Sequence, residues 1–126
     1  TILLFFCLSI KAQEKQTVKI NNITRTYLLH LPDNMKKNAP LVFVLHGYEG
    51  TASAKGYGMD EISDKNGFAV CYPQGEKDGL GNPCWNVGYP FQKDMKIDDV
   101  DFLCKLANHL QMKYNLSQEN TFCTGF

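Results

Sequence analysis

The sequence predicts an α/β fold: a mostly parallel sheet entered through an N-terminal antiparallel hairpin. Three observations carry that expectation. Residues 17–31 alternate apolar and polar at period two, two later stretches are continuously apolar, and residues 98–114 repeat apolar side chains at spacings of three and four. The first pattern belongs to a half-buried strand pair, the second to central strands covered on both faces, and the third to an amphipathic helix.

Taken in order, residues 17–20 and 23–31 place Val18 and Ile20, then Ile23, Tyr27, Leu29 and Leu31, on one side of two strands. Asn21 and Asn22 tolerate positive φ, so they suit a tight hairpin turn. Pro32 ends the pair. Residues 40–45 (PLVFVL) and 67–72 (GFAVCY) are the two continuous runs. About twenty residues separate them, enough for the crossover that parallel neighbours need. Met59 and Ile62 offer a weak helical stripe there, with Asn66 and Gly67 as its stop. A Gly-, Pro- and aromatic-rich loop fills 74–96. Asp98 or Asp99 then caps a helix whose buried face should be Val100, Leu103, Ala107, Leu110 and Tyr114. Residues 115–120 form a polar turn, and 121–124 enter a last short strand reaching Gly125 and Phe126. Alternating β and α elements imply helices on both faces of the sheet.

Composition narrows the function classes. Among 126 residues, 13 basic and 13 acidic side chains balance to zero formal charge. No basic cluster exceeds the pair Lys36 and Lys37, which argues against an electrostatic nucleic-acid partner. Residues 1–12 begin with TILLFFCLSI and close on Ala12, as expected for the remnant of a signal peptide. Such a run is too short to span a bilayer. Export would expose Cys71, Cys84, Cys104 and Cys123 to oxidising conditions. Cys71 and Cys123 fall in apolar strands, where buried free thiols are expected. Cys84, in the loop, is the best disulfide candidate, with Cys104 or a more distant cysteine as partner.

Chemistry is expected beyond the carboxyl ends of the parallel strands. Three segments converge there: 46–51, 74–96, and Gly125 with Phe126. A strand running into a glycine and one further residue is how a nucleophile elbow begins, although such a pair also makes an ordinary turn. An elbow takes its second oxyanion donor from the neighbouring loop, so the backbone N–H of Tyr48 is the candidate. His46 reads as a residue bracing that loop, and His30 and His109 as surface or bracing residues. Trp85 offers a planar face to a substrate, or wedges the loop onto the core.

The blocks RTYLLHL (25–31), PLVFVLHGY (40–48), NGFAVCYPQG (66–75), CWNVG (84–88), IDDVDFL (97–103) and TFCTGF (121–126) together resemble the polyhydroxybutyrate depolymerase and feruloyl esterase-like family of carbohydrate-esterase type. The resemblance covers nearly all of residues 17–126. It implies an α/β-hydrolase fold, of which 17–126 would be the N-terminal part, the C-terminal half being absent. It implies a serine directly after Phe126 as nucleophile, with the acid and histidine further downstream. It implies two-step acyl transfer on a carboxylic ester, polysaccharide-linked or polymeric, without cofactor or metal. Asp98 and Asp99 match the family's DDV motif, yet they precede the serine and suit capping and bracing. Two departures stand out. Tyr89, Pro90 and Phe91 occupy a place where many relatives carry cysteine, and Glu49 puts a carboxylate in the oxyanion loop. Other α/β-hydrolase chemistry, such as a peptidase or dienelactone hydrolase, and a non-catalytic binding homologue are the alternatives.

Overall fold

The computed structural model describes residues 13–125. The expected leader at 1–12 and the elbow residue Phe126 lie outside the described residues.

Strands β1 (Gln16–Ile20) and β2 (Ile23–His30) form the hairpin, with Ile20 opposite Ile23. Its turn residues Asn21 and Asn22 sit at φ of 52° and 64°, the left-handed conformation that asparagine tolerates. Strand β3 (Leu41–Leu45) leads through a short helix α1 (Ala54–Tyr57) and α2 (Met59–Asn66) to β4 (Ala69–Pro73). Gly67 stops α2 at φ 74°. Within the expected loop, β5 (Glu76–Lys77) and β6 (Pro83–Cys84) form a small separate hairpin, and a single 3-10 turn covers Pro90–Gln92. Helix α3 (Asp99–Tyr114) and β7 (Thr121–Gly125) complete the described chain.

The main sheet has the order β1-β2-β4-β3-β7. Strands β4, β3 and β7 are parallel, and β2 joins β4 antiparallel. The two faces of this sheet separate by strand alternation. Leu29, Leu41, Phe43, Ala69 and Cys71 pack with Phe102, Leu106 and Leu110 of α3. Val44, Val70 and Tyr72 face the other way, against Ala54 and Met59 of α1 and α2. Helices therefore cover both faces, as expected. No helix among the described residues is long and apolar enough to cross a membrane.

Four sequence expectations need correction. The buried line of α3 is Asp99, Phe102, Leu106 and Leu110, while Val100 is 72% exposed. Leu103, Ala107 and Tyr114 only flank the core. The cause is electrostatic: Asp99 faces inward to meet a buried arginine, which turns the helix and brings Phe102 under the sheet. On α2, Ile62 is exposed, and buried Ser63 donates to the Phe68 carbonyl instead. Cys123 is exposed rather than buried, because β7 is the edge strand of the described sheet and most of it is exposed. Cys84 and Cys104 are both free, Cys84 buried in the loop and Cys104 exposed on α3, so of the two expected partners for Cys84 the nearer one does not pair with it.

The arginine is Arg25 on β2, 2% exposed. Its Nη2 donates to Asp99 Oδ1 at 2.7 Å and to the Gln74 carbonyl at 3.3 Å. Its guanidinium lies 3.7 Å over the centroid of the Phe102 ring. Nε stands 3.1 Å from Glu76 Oε1, close enough for charge attraction though off the hydrogen-bonding line. The second oxygen of Asp99 accepts the Asn86 backbone N–H at 2.7 Å, and Asp98 caps α3 by accepting from the Asp101 N–H. Both aspartates thus cap and brace. Removing one partner of a buried ion pair strands the other charge, at a cost of about 3–5 kcal/mol. Asp99→Ala should fall near about 3 kcal/mol, because Glu76 remains to compensate Arg25. Urea unfolding of the complete gene product measures this, and an unchanged midpoint would contradict it.

Candidate functional site

The parallel strands β3, β4 and β7 all end on one side of the sheet, and the register pairs Leu45 with Gly125. The loop after β3 therefore starts beside the end of β7. The approach is tight: a Cβ on Gly125 would sit 2.5 Å from the Leu45 carbonyl oxygen, so a side chain there collides with backbone. Of the two expected elbow residues, Gly125 is placed next to the oxyanion-loop strand, and Phe126 is outside the described residues.

His46 opens that loop and is 1% exposed. Its Nε2 accepts the Gly75 backbone N–H at 2.9 Å and the Gln74 side-chain amide at 3.0 Å. An acceptor at Nε2 leaves the ring proton on Nδ1, which donates to the Gly47 carbonyl at 2.8 Å. Both ring nitrogens are committed, so His46 braces the loop and has no free position for proton transfer. Gly75 is required at this joint, since a Cβ there would overlap the Cys84 carbonyl. Trp85 closes the knot, its indole N–H donating to the His46 carbonyl at 2.8 Å and its ring tilted 5.0 Å from the imidazole. Both readings of Trp85 meet here: it wedges against the core and also lines a surface cleft.

Past His46 the loop turns tightly, with the Gly50 N–H bonded to the Gly47 carbonyl and the Glu49 N–H to the Pro83 carbonyl. Glu49 takes φ 62° and is exposed, so its carboxylate turns outward to solvent. Tyr48 differs from Glu49 and Gly50. Among the described residues its N–H has no hydrogen-bond acceptor, whereas its phenol is held at both lone pair and proton. The hydroxyl donates to Asp78 Oδ2 at 2.8 Å and accepts from Asn82 Nδ2 at 2.8 Å. Asp78 in turn accepts the N–H groups of Leu80 and Asn82 at its other oxygen. These bonds hold the Asp78 carboxyl below the usual carboxylate range, with the Asn82 N–H the largest cause. The bond to Asp78 raises the Tyr48 phenol.

A cleft of ≈ 320 Å³ lies beside Tyr48, lined by Tyr48, Cys84, Trp85, Val87, Tyr89, Phe91 and Gln92. Tyr48 meets Phe91 edge-on at 5.8 Å, and Phe91 stacks with Tyr89 at 5.6 Å. These rings are roughly half exposed. The polar groups beneath them are already used: buried Gln92 donates to the Trp85 carbonyl and accepts from the Val87 and Tyr89 N–H groups. Burial raises the Cys84 thiol, which disfavours a thiolate in the cleft. Among the described residues no group of three or more His, Cys, Asp or Glu is arranged to hold a metal ion. A larger cleft of ≈ 560 Å³ lies near His30 and Asp64, at the opposite end of the sheet, since His30 pairs with Val70 near the start of β4.

The sequence did not point to Asp78, Asn82 or Gln92, whereas Gln74 lies in the resembling block at 66–75 that was expected on the active-site side. For Asp78 there was a signal, because Asp followed by Gly at 78–79 marks a turn whose side chain bonds nearby backbone. Gln92 left none.

No family model matches the chain. Poly(3-hydroxyalkanoate) depolymerase C of Paucimonas lemoignei is 27% identical over 97 residues, covering 76% of this chain and 23% of the depolymerase. Acetyl xylan esterase from Aspergillus awamori superposes with a TM-score of 0.68 at 22% identity, over 89% of this chain and 42% of the esterase. S-formylglutathione hydrolase from Staphylococcus aureus gives 0.64 at 15% identity, over 90% of this chain and 46% of its own. The fold is thus the α/β-hydrolase fold, as expected, and the chain resembles a polyhydroxyalkanoate depolymerase and an acetyl xylan esterase, in line with the resemblance its sequence carries. The chain spans about a quarter of the length of the curated relative and under half of each solved neighbour.

Asp78 also links this site to acid stability. A carboxyl whose pKa falls on folding contributes stability that is present above its unfolded value and lost as pH drops through the folded value. The stability difference between wild type and Asp78→Ala should therefore shrink below the ordinary 3.8 of an aspartate. Thermal melts of both proteins from about pH 6 to about pH 3 check this, and a constant difference would contradict it.

Proposed function

We propose that the protein carrying this chain is a serine-dependent carboxylic ester hydrolase, exported from the cell. The observation that carries the proposal is the Tyr48 N–H, free of any acceptor among the described residues, in the loop that starts beside the end of β7 and borders an aromatic cleft. A nucleophile following Gly125 and Phe126 would stand next to that donor. The depolymerase and esterase relatives support the reaction class, and the apolar run that opens residues 1–12 supports export.

The serine Oγ attacks the ester carbonyl, a downstream histidine takes its proton, and negative charge develops on the carbonyl oxygen. The Tyr48 N–H donates to that oxygen as one of two backbone donors. The alcohol then leaves with the proton, and water cleaves the acyl-enzyme to free acid and serine. No cofactor enters. In this reaction His46 shapes the donor loop, and Trp85 and Tyr48 form part of the wall on which the substrate rests. The substrate is a polysaccharide-linked or polymeric ester, and the lack of unused polar groups beneath the rings favours an apolar acyl portion against them.

The complete gene product should hydrolyse at least one of feruloyl, acetyl and hydroxybutyrate esters; a folded protein that turns over none overturns the proposal. Phe91→Ala removes the central ring of the aromatic wall, worth about 1 kcal/mol beyond its area. KM for an aryl-acyl ester should rise roughly fivefold, with acetyl ester kinetics nearly unchanged. Steady-state kinetics on the two esters decide it, and an equal loss on both would show that Phe91 serves the fold instead.

A further inference from the structure

We infer that Asp78 is a positioning residue of the oxyanion site: the turn at 78–82 clamps the Tyr48 phenol, and through it holds the Tyr48 backbone donor in place. The inference rests on the ester-hydrolase reading above.

A half-exposed tyrosine in a surface loop ordinarily has a free choice of rotamer, and its peptide moves with it. Tyr48 has none. Its hydroxyl is gripped from both sides, donating to Asp78 Oδ2 and accepting from Asn82 Nδ2, each at 2.8 Å. The grip is itself rigid. Asp78 Oδ1 accepts two backbone N–H groups, from Leu80 at 2.9 Å and Asn82 at 3.0 Å. The Asp78 N–H donates to the Asn82 carbonyl, and the Gly81 N–H to the Asp78 carbonyl, each at 3.0 Å. Asp78 is 7% exposed, so this carboxylate is committed to the protein rather than to solvent. The same hairpin reaches the loop a second time, through the Pro83 carbonyl that accepts the Glu49 N–H at 2.9 Å.

Tyr48 is therefore held at its side-chain end by 78–82 and at the following peptide by Pro83, with its own N–H open among the described residues. That arrangement suits a donor which must be in place before charge develops, because a preset dipole needs no reorganisation during reaction. Its orientation matters steeply, since a displacement of about 1 Å can cost on the order of a hundredfold in rate. Phe91 rests edge-on against the Tyr48 ring and adds packing but no polar anchor.

The test is a double-mutant cycle in the complete gene product, with p-nitrophenyl butyrate as substrate and phenylboronic acid as a mimic of the tetrahedral intermediate. Tyr48→Phe keeps the ring and removes the gripped hydroxyl; Asp78→Ala removes the grip. Each should lower kcat by about tenfold and weaken boronate binding to match, with KM changed less than about twofold. The double variant should be no worse than either single one, because both cut the same link. Asn82→Ala, which leaves the carboxylate and turn in place, should lower kcat by about threefold in the Tyr48 protein and leave it unchanged in the Tyr48→Phe protein. If Asp78→Ala does not fold, that second cycle carries the test. Multiplying effects, or an unchanged kcat in Tyr48→Phe, would mean that Asp78 only supports its turn and would overturn the inference. A wild-type protein inactive on every ester overturns the hydrolase reading itself, a separate result.

Discussion

A guanidinium leaves water only when partners surround it, and much of this molecule is arranged around that requirement at Arg25. The side chain starts on β2 and ends among a carboxylate of α3, a carbonyl that follows β4, a glutamate of β5 and the face of Phe102. Three segments distant in sequence, β2, residues 74–76 and α3, are drawn to one point. The rotation of α3 follows from it, since Asp99 must face inward and Phe102, Leu106 and Leu110 then follow at helical spacing. So does the course of the long loop, whose Asn86 N–H takes the remaining oxygen of Asp99.

That loop in turn fixes the site. Trp85 follows the Cys84 end of β6 and precedes Asn86, and its indole N–H reaches the carbonyl of His46. The imidazole of His46 is then held by Gly75 and Gln74, residues that follow β4. The candidate donor at Tyr48 is thus two residues from a buried histidine whose ring nitrogens and carbonyl are all engaged. Placement passes from a buried charge, through loop backbone, to a peptide at the carboxyl end of the sheet. At the buried steps the Arg25 Nη2, both oxygens of Asp99 and both ring nitrogens of His46 already have protein partners.

What the sequence made legible was local. The hairpin shows in residues 17–31 because alternation and an Asn-Asn turn act over neighbours, and β3 and β4 show because apolar runs have few other uses. Gly67 and Asp98 were readable as helix ends for the same reason. The helical stripe through Val100 was wrong where a long-range ion pair outweighed hydrophobic periodicity. Cys123 was wrong because burial of a strand depends on what covers it. At the site, His46, Tyr48, Trp85 and Gly125 stood out through position after strands and through resemblance. Asn82 and Gln92 did not, because an amide side chain that bonds to distant groups carries no periodic or compositional mark, and Gln74 showed only as part of the resembling block at 66–75.

The segment from Val87 to Phe91 is tied at its base and free at its crown. Gln92 secures the backbone at Val87 and Tyr89 from within, and Asn86 holds the carbonyl of Ile97. The side chains of Val87, Tyr89 and Phe91 meanwhile contribute nothing to either core cluster. A stretch built this way behaves as an exchangeable cassette: its outer residues can be rewritten by drift or by design while the donor loop beneath keeps its shape. Sequence change would then be tolerated in these few positions first, while Gln92 and Asn86 stay bound to the backbone they hold.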